Sequence, residues 1–97
     1  MKSTIDRIAA RELELFANND QGVYCCSIMP VCNNMIRKLR KGTFDREKAV
    51  KGFMYCVDYA AKTYCKMFGG VWYQVFNKAT RELVAETLLE NFLADNA

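Results

Sequence analysis

DREKAVKGFMYCVDYAAKTYCKMF, residues Asp45 to Phe68, carries the best helical pattern in the chain. Asp45 suits an N-cap, because its carboxylate can accept from the free amides of a first helical turn. Phe44 before the cap and Ala49 within the helix stand where a hydrophobic staple closes. Ala49, Phe53, Val57, Ala60, Tyr64 and Met67 recur at steps of three and four residues, which places them on one stripe. Gly69 and Gly70 then stop the helix, since glycine enters the left-handed C′ conformation without a Cβ clash. A helix of this length spans roughly 35 Å, long enough for the remaining helices to pack along it.

Upstream, residues 4–17 read as a helix capped by Ser3 or Thr4, with Asp6 in the first turn and Ile5, Ile8, Ala9, Leu13 and Phe16 on its apolar side. Asn18-Asn19-Asp20 breaks it, and Asp20 is a cap for the next helical region. Residues 21–41 form that second region, with Tyr24, Ile28, Val31, Met35 and Leu39 on one face. Pro30 lacks an amide and crowds the preceding turn, so this helix is expected to kink or split there. Gly42 ends it. The short joint Gly42-Thr43-Phe44 makes the second and third helices antiparallel neighbours. Val71 to Phe76 is an apolar, aromatic segment, either extended or a short helical turn. Asn77 caps a last helix over 78–94, with Val84, Leu88 and Phe92 on one stripe and Ala85, Leu89 and Leu93 beside it. The expected fold is all-α: a single domain over 1–97, a bundle of about four main helices with the second kinked or split near Pro30.

Of the 97 residues, 52% are hydrophobic, and six Phe, five Tyr and one Trp are among them. That composition supports a packed core rather than a disordered chain. No apolar run approaches the ~20 residues needed to cross a bilayer. Met1 to Arg7 is charged early and lacks the apolar core of a signal peptide, so a cytoplasmic location, in a bacterial host, is expected. The five cysteines, Cys25, Cys26, Cys32, Cys56 and Cys65, are odd in number and show no CxxC spacing. They read as free thiols or small core residues.

Histidine is missing altogether, which removes the commonest general base and metal ligand near neutral pH. Neither Ser3 nor Ser27 sits in a nucleophile-elbow context. The chain is therefore expected not to be an enzyme and to carry no catalytic residues. Cys25, Cys26 and Cys32 are clustered soft ligands, but a structural zinc site needs four, so no metal and no cofactor are expected. Gly69-Gly70 lacks the following Lys-Ser/Thr of a phosphate loop.

Charge is the sharper surface signal. Net charge is only +3, but Arg37 to Lys51 holds seven basic and two acidic residues, and Glu82 to Ala97 holds four acidic and no basic ones. Arg37, Lys38, Arg40, Lys41, Arg46, Lys48 and Lys51 should gather at one tip of the helical hairpin. There they could meet phosphates or an acidic protein, or simply complement a helix dipole and keep the protein dissolved. Tyr55, Tyr59, Lys62 and Lys66 lie off the apolar stripe, as a protein-binding face would, or as tyrosines half-covered by a neighbouring helix with wet hydroxyls. Glu82, Glu86 and Glu90 form an i, i+4 row, either a phosphate mimic or a solvated helix face.

The stretches Glu12 to Asp20, Gly42 to Lys51, Val57 to Lys62 and Ala79 to Glu86 resemble small uncharacterised all-helical proteins of phages, plasmids and other bacterial mobile elements. The resemblance implies context, not chemistry. Such proteins often bind a host protein, and inhibitors of bacterial defence, anti-CRISPR proteins among them, are a prominent group. The expected function is thus a non-enzymatic protein-binding protein that inhibits a host defence complex such as CRISPR-Cas by occupying its surface. The alternative is a small nucleic-acid-binding or regulatory protein using the basic tip. A host protein complex is the expected partner, nucleic acid the alternative, a membrane is not, and the chain is expected to be a monomer or homodimer.

Overall fold

In a computed structural model, residues 4–96 are described. They form an all-α fold with no strand among them. The elements run α1 (Arg7–Asn19), α2 (Gln21–Val23), a π-helical turn (Tyr24–Ile28), α3 (Met29–Lys41), α4 (Arg46–Phe68), α5 (Trp72–Val75) and α6 (Lys78–Asp95).

α1, α4 and α6 each begin on a capping side chain, while α3 continues from the π-turn without one. The Asp45 carboxylate accepts from the amides of Glu47 and Lys48, and Asn77 Oδ1 accepts from the Thr80 amide. Asp20 closes α1 and caps α2, accepting from the Val23 amide at 3.0 Å. Gly42, at φ +73°, ends α3 in a Schellman motif. The Thr43 amide donates to Lys38 O and the Gly42 amide to Leu39 O.

α1 starts later than expected. Asp6, not Thr4, is the cap, because its carboxylate accepts from the Ala9 amide while its own amide donates to Thr80 Oγ1 at 3.0 Å. The other candidate cap, Ser3, lies outside the described residues. The apolar face is also turned. Ala10, Leu13 and Ala17 are buried, Ala9 and Phe16 are half-buried, and Ile5 and Ile8 stand in solvent. α1 packs against α4 on one side and α6 on the other, and this position favours small residues.

The helical region expected to kink or split near Pro30 is divided there into α2, a π-turn and α3, with no loop between them. The five residues Tyr24–Ile28 form a π-turn, in which the Met29 amide reaches Tyr24 O. The wider turn comes just ahead of the proline and shifts the backbone pairing where its ring and missing amide would otherwise conflict. Ser27 is buried in this turn and donates to Val23 O.

Contacts give the registers. Gly52 of α4 lies against Val31 and Met35 of α3, and the Ser27 hydroxyl neighbours Cys56, so the hairpin is antiparallel as expected. α6 also runs antiparallel to α4, pairing Arg81 with Asp58 and Arg46 with Glu90. α1 lies parallel to α6: Arg7 and Ala10 share a groove with Leu83 and Val84, and Glu14 shares it with Thr87.

The core runs along α4 through Ala49, Phe53, Cys56, Val57, Ala60, Ala61 and Cys65. It is wider than the stripe read from spacing, because α4 has helices on several sides. Met67, placed on that stripe, is exposed instead. Tyr24 and Leu39, placed on the inner face of 21–41, are exposed at its ends. Tyr64 gathers three rings: Phe16 at 5.3 Å, Phe68 at 4.7 Å and Phe76 at 5.2 Å between centroids. Phe76 is 1% exposed, so the segment after α5 is anchored in the core.

Gly70 controls that anchoring. Its φ is +97°, and an ideal Cβ there would meet Val75 Cγ2 at 2.7 Å. Both the backbone conformation and the contact exclude a side chain. Gly70→Ala should cost about 2 kcal/mol, read as a lower urea midpoint with an unchanged slope.

Candidate functional site

Exposed, chemically distinctive side chains fall on three surfaces. The first is the tip where α3 meets α4. Arg37, Arg40, Lys41, Lys48 and Lys51 are exposed there, and Lys38 is half-buried. Lys38 and Lys48 line a small cavity of about 80 Å³ with Phe44, Asp45 and Gly52. Arg37 donates to Asn34 Oδ1 at 3.4 Å. Arg46 is engaged by Glu90 in an exposed ion pair, which contributes little to stability but brings the two charge clusters into contact.

The second surface is the row on α6. Glu82 and Glu86 are exposed and border a shallow groove of about 240 Å³ with Ile5, Ala79 and Leu83. Glu90, the third member of the row, turns to Arg46.

The third surface lies between the C-terminal half of α4 and the start of α5. Tyr59, Lys62, Thr63, Cys65, Lys66, Gly70, Val71 and Trp72 line an open groove of about 500 Å³. Tyr55 extends it one turn back, its ring 6.5 Å from that of Tyr59. Tyr73 extends it on the other side, edge-on to Trp72 at 5.5 Å. The face predicted from Tyr55, Tyr59, Lys62 and Lys66 thus exists as one surface, and α5 adds its aromatic wall.

Behind this wall sits a cluster that spacing did not mark. Arg81 is only 8% exposed. Its Nε donates to Phe76 O at 2.9 Å, and Nη1 donates to Asp58 Oδ1 at 2.6 Å. Its guanidinium carbon lies 4.7 Å from the Trp72 ring centroid, and Lys62 Nζ lies 4.9 Å from the same centroid. Both are within cation–π range. One sequence signal could have found Arg81: it is the only cation inside α6 beyond its first residue, and it stands one helical turn before the apolar stripe residue Val84.

The thiols divide by burial. Cys25 and Cys26 are exposed, Cys32 is half-buried, and Cys56 and Cys65 are buried. Burial pushes the Cys56 thiol up to about 11, with a Ser27 hydrogen bond opposing the rise and the neighbouring Cys32 adding to it. Burial also raises Cys32 and Cys65. These three stay protonated at neutral pH and are poor nucleophiles. Among the described residues, no three His, Cys, Asp or Glu side chains converge as metal ligands. No helix among them is long and apolar enough to cross a membrane.

The chain matches no protein-family model, no curated protein and no solved structure.

Two outcomes test this arrangement. Asp58→Ala leaves the Arg81 guanidinium buried without its counter-charge. With the Asp58 side chain 32% exposed, the loss should be about 2 kcal/mol, below that of a fully buried pair. Adding Arg81→Met to that variant should recover part of it in chemical denaturation. Thiol titration of the folded chain near pH 8 should label Cys25 and Cys26 first, and Cys56 and Cys65 only on unfolding.

Proposed function

We propose that the chain is a non-enzymatic binding protein that acts by covering the surface of a partner protein. In keeping with the mobile-element resemblance, the partner is a host defence complex such as CRISPR-Cas in the bacterial cytoplasm, and the chain is its inhibitor. One observation carries the binding reading. Tyr55, Tyr59 and Tyr73 are 61%, 37% and 54% exposed on the same surface as Lys62, Lys66 and Trp72. Tyrosine and tryptophan supply large contact area at low entropic cost, and they dominate the centres of protein interfaces. An aromatic surface of this kind is costly to leave in water.

A second reading, a nucleic-acid-binding or regulatory protein, is favoured by the tip. Arg37, Lys38, Arg40, Lys41, Lys48 and Lys51 form no ion pair among the described residues. Clustered free cations of this sort contact phosphates and release counterions.

The two readings separate in a pull-down from bacterial lysate with tagged chain, split into nuclease-treated and untreated halves. The first predicts a host complex that survives nuclease and is lost with Tyr55→Ala and Tyr59→Ala together. Truncating two such aromatic anchors should weaken a central contact by at least about tenfold. The second predicts nucleic acid that is lost in high salt and with Lys41→Glu and Lys48→Glu, while the tyrosine variants bind normally.

A further inference from the structure

We infer that the α4–α5 groove receives an acidic segment of the partner, its carboxylates meeting Lys62 and Lys66 and an apolar side chain resting against Trp72 and Val71. This rests on the protein-binding reading above and names the chemistry of the partner at that surface.

The groove has two cations and no carboxylate in its lining. Asp58, one turn before Lys62, is committed to Arg81. Neither Lys62 nor Lys66 forms an ion pair among the described residues. The surface is therefore electrically one-sided, and an anion entering it meets two cations and no negative charge in the lining. Lys62 and Lys66 are four residues apart on α4, which sets them about 6 Å apart along the axis. Carboxylates at the same spacing on a partner helix would face both. The aromatic and aliphatic wall of Trp72, Val71 and Tyr59 offers apolar surface between and beside the charges. The volume, about 500 Å³, is enough for a bulky side chain.

The same geometry disfavours other occupants. An aromatic wall can serve a cationic ligand, but Lys62 and Arg81 already sit over the Trp72 ring and would repel one. A nucleobase needs a whole ring face to stack on and would have to displace Lys62 from Trp72, whereas an aliphatic side chain can pack on the ring edge and Val71. The complementary occupant joins negative charge to an apolar side chain, which is the composition of an acidic amphipathic segment.

Trp72 is the only tryptophan in the chain, so its emission reports directly on the groove. The full chain is titrated at low salt with a short helical peptide of Glu, Ala and Leu that carries Glu at every fourth position. The controls are the same peptide with Lys for Glu, and a short oligothymidine. The expected result is a saturable emission change with the Glu peptide alone, weakened by added salt. Lys62→Glu with Lys66→Glu should reduce affinity roughly tenfold, as two exposed charge pairs would. Lys62→Gln with Lys66→Gln should give a smaller loss, and it serves if the reversed pair fails to fold. No emission change at millimolar peptide, an equal response to the Lys peptide, or tighter binding of oligothymidine would each overturn the inference. So would a concentration-dependent mass abolished by Glu82→Lys and Glu86→Lys, which would mean that a second copy fills the groove. If the titration is silent but a host complex is still captured and still lost with Tyr55→Ala and Tyr59→Ala, only the acidic segment is overturned. If capture also fails, the binding reading falls with it.

Discussion

The Arg81 guanidinium is the charge around which this end of the molecule is arranged. A buried cation is costly unless it is paired and its donors are used. Here one side chain on α6 takes a carboxylate from α4, a carbonyl from the segment that precedes α6, and the indole of α5. Three stretches of chain are held by one group. Four residues are far too few for a helix to be stable alone, so α5 relies on such partners, together with its packing on α4 and the burial of Phe76 just after it. Trp72, and with it the wall of the groove, is held between Arg81, Lys62 and the core.

Tyr64 plays the apolar counterpart on the other side of α4. Its ring joins Phe16 of α1, Phe68 of its own helix and Phe76 beyond α5, and its hydroxyl reaches Glu12. The edge-to-face pairs with Phe16 and Phe76 favour defined ring angles as well as burial. α1 is tied a second time at its start, where the Asp6 amide meets Thr80 and the Asn77 amide group donates to Thr4 O. The helix that begins the described chain is thereby fixed to the one that ends it, in parallel.

The long helices and most of their ends were legible because they depend on local chemistry, the exception being the start of α1, where Asp6, expected inside the first turn, is the cap. Asp20, Asp45 and Asn77 cap by side-chain reach, and Gly42 and Gly69 end helices by conformation. Burial was less legible, because it depends on which neighbours arrive. Ile5 and Ile8 look like core residues by type, yet α1 turns its alanines inward so that two helices can approach closely. Cys56, Ala61 and Cys65 lay off the expected stripe, and contact on several sides of α4 made them core. Pro30 marked the right place for an irregularity, but whether it became a break, a kink or a π-turn depended on the packing of Ser27 and Ile28. Of the candidate surfaces, the tyrosine and lysine face was readable from i, i+4 spacing. Its aromatic wall was not, since α5 reaches it only after the reversal at Gly69 and Gly70. Nor was the union of Arg46 with Glu90, which requires the antiparallel register of α4 and α6.

Stability and surface chemistry are consequently coupled at the α4–α5 end and separable at the α3–α4 tip. At the tip, the cations project from helices whose packing uses Ala49, Phe53 and Met35, so charge there can change with little effect on the core. At the groove, Lys62 shares the Trp72 ring with Arg81, Arg81 shares Asp58 with α4, and Gly70 must remain free of a side chain for Val75 to sit where it does. A groove built on such shared contacts is held in shape before any partner arrives, and preorganisation lowers the entropic cost of binding. That physical asymmetry, rather than charge alone, distinguishes the groove from the tip. The tip is a set of exposed cations on helix ends, whereas the groove has walls tied to one another by the contacts of Trp72, Arg81 and Asp58.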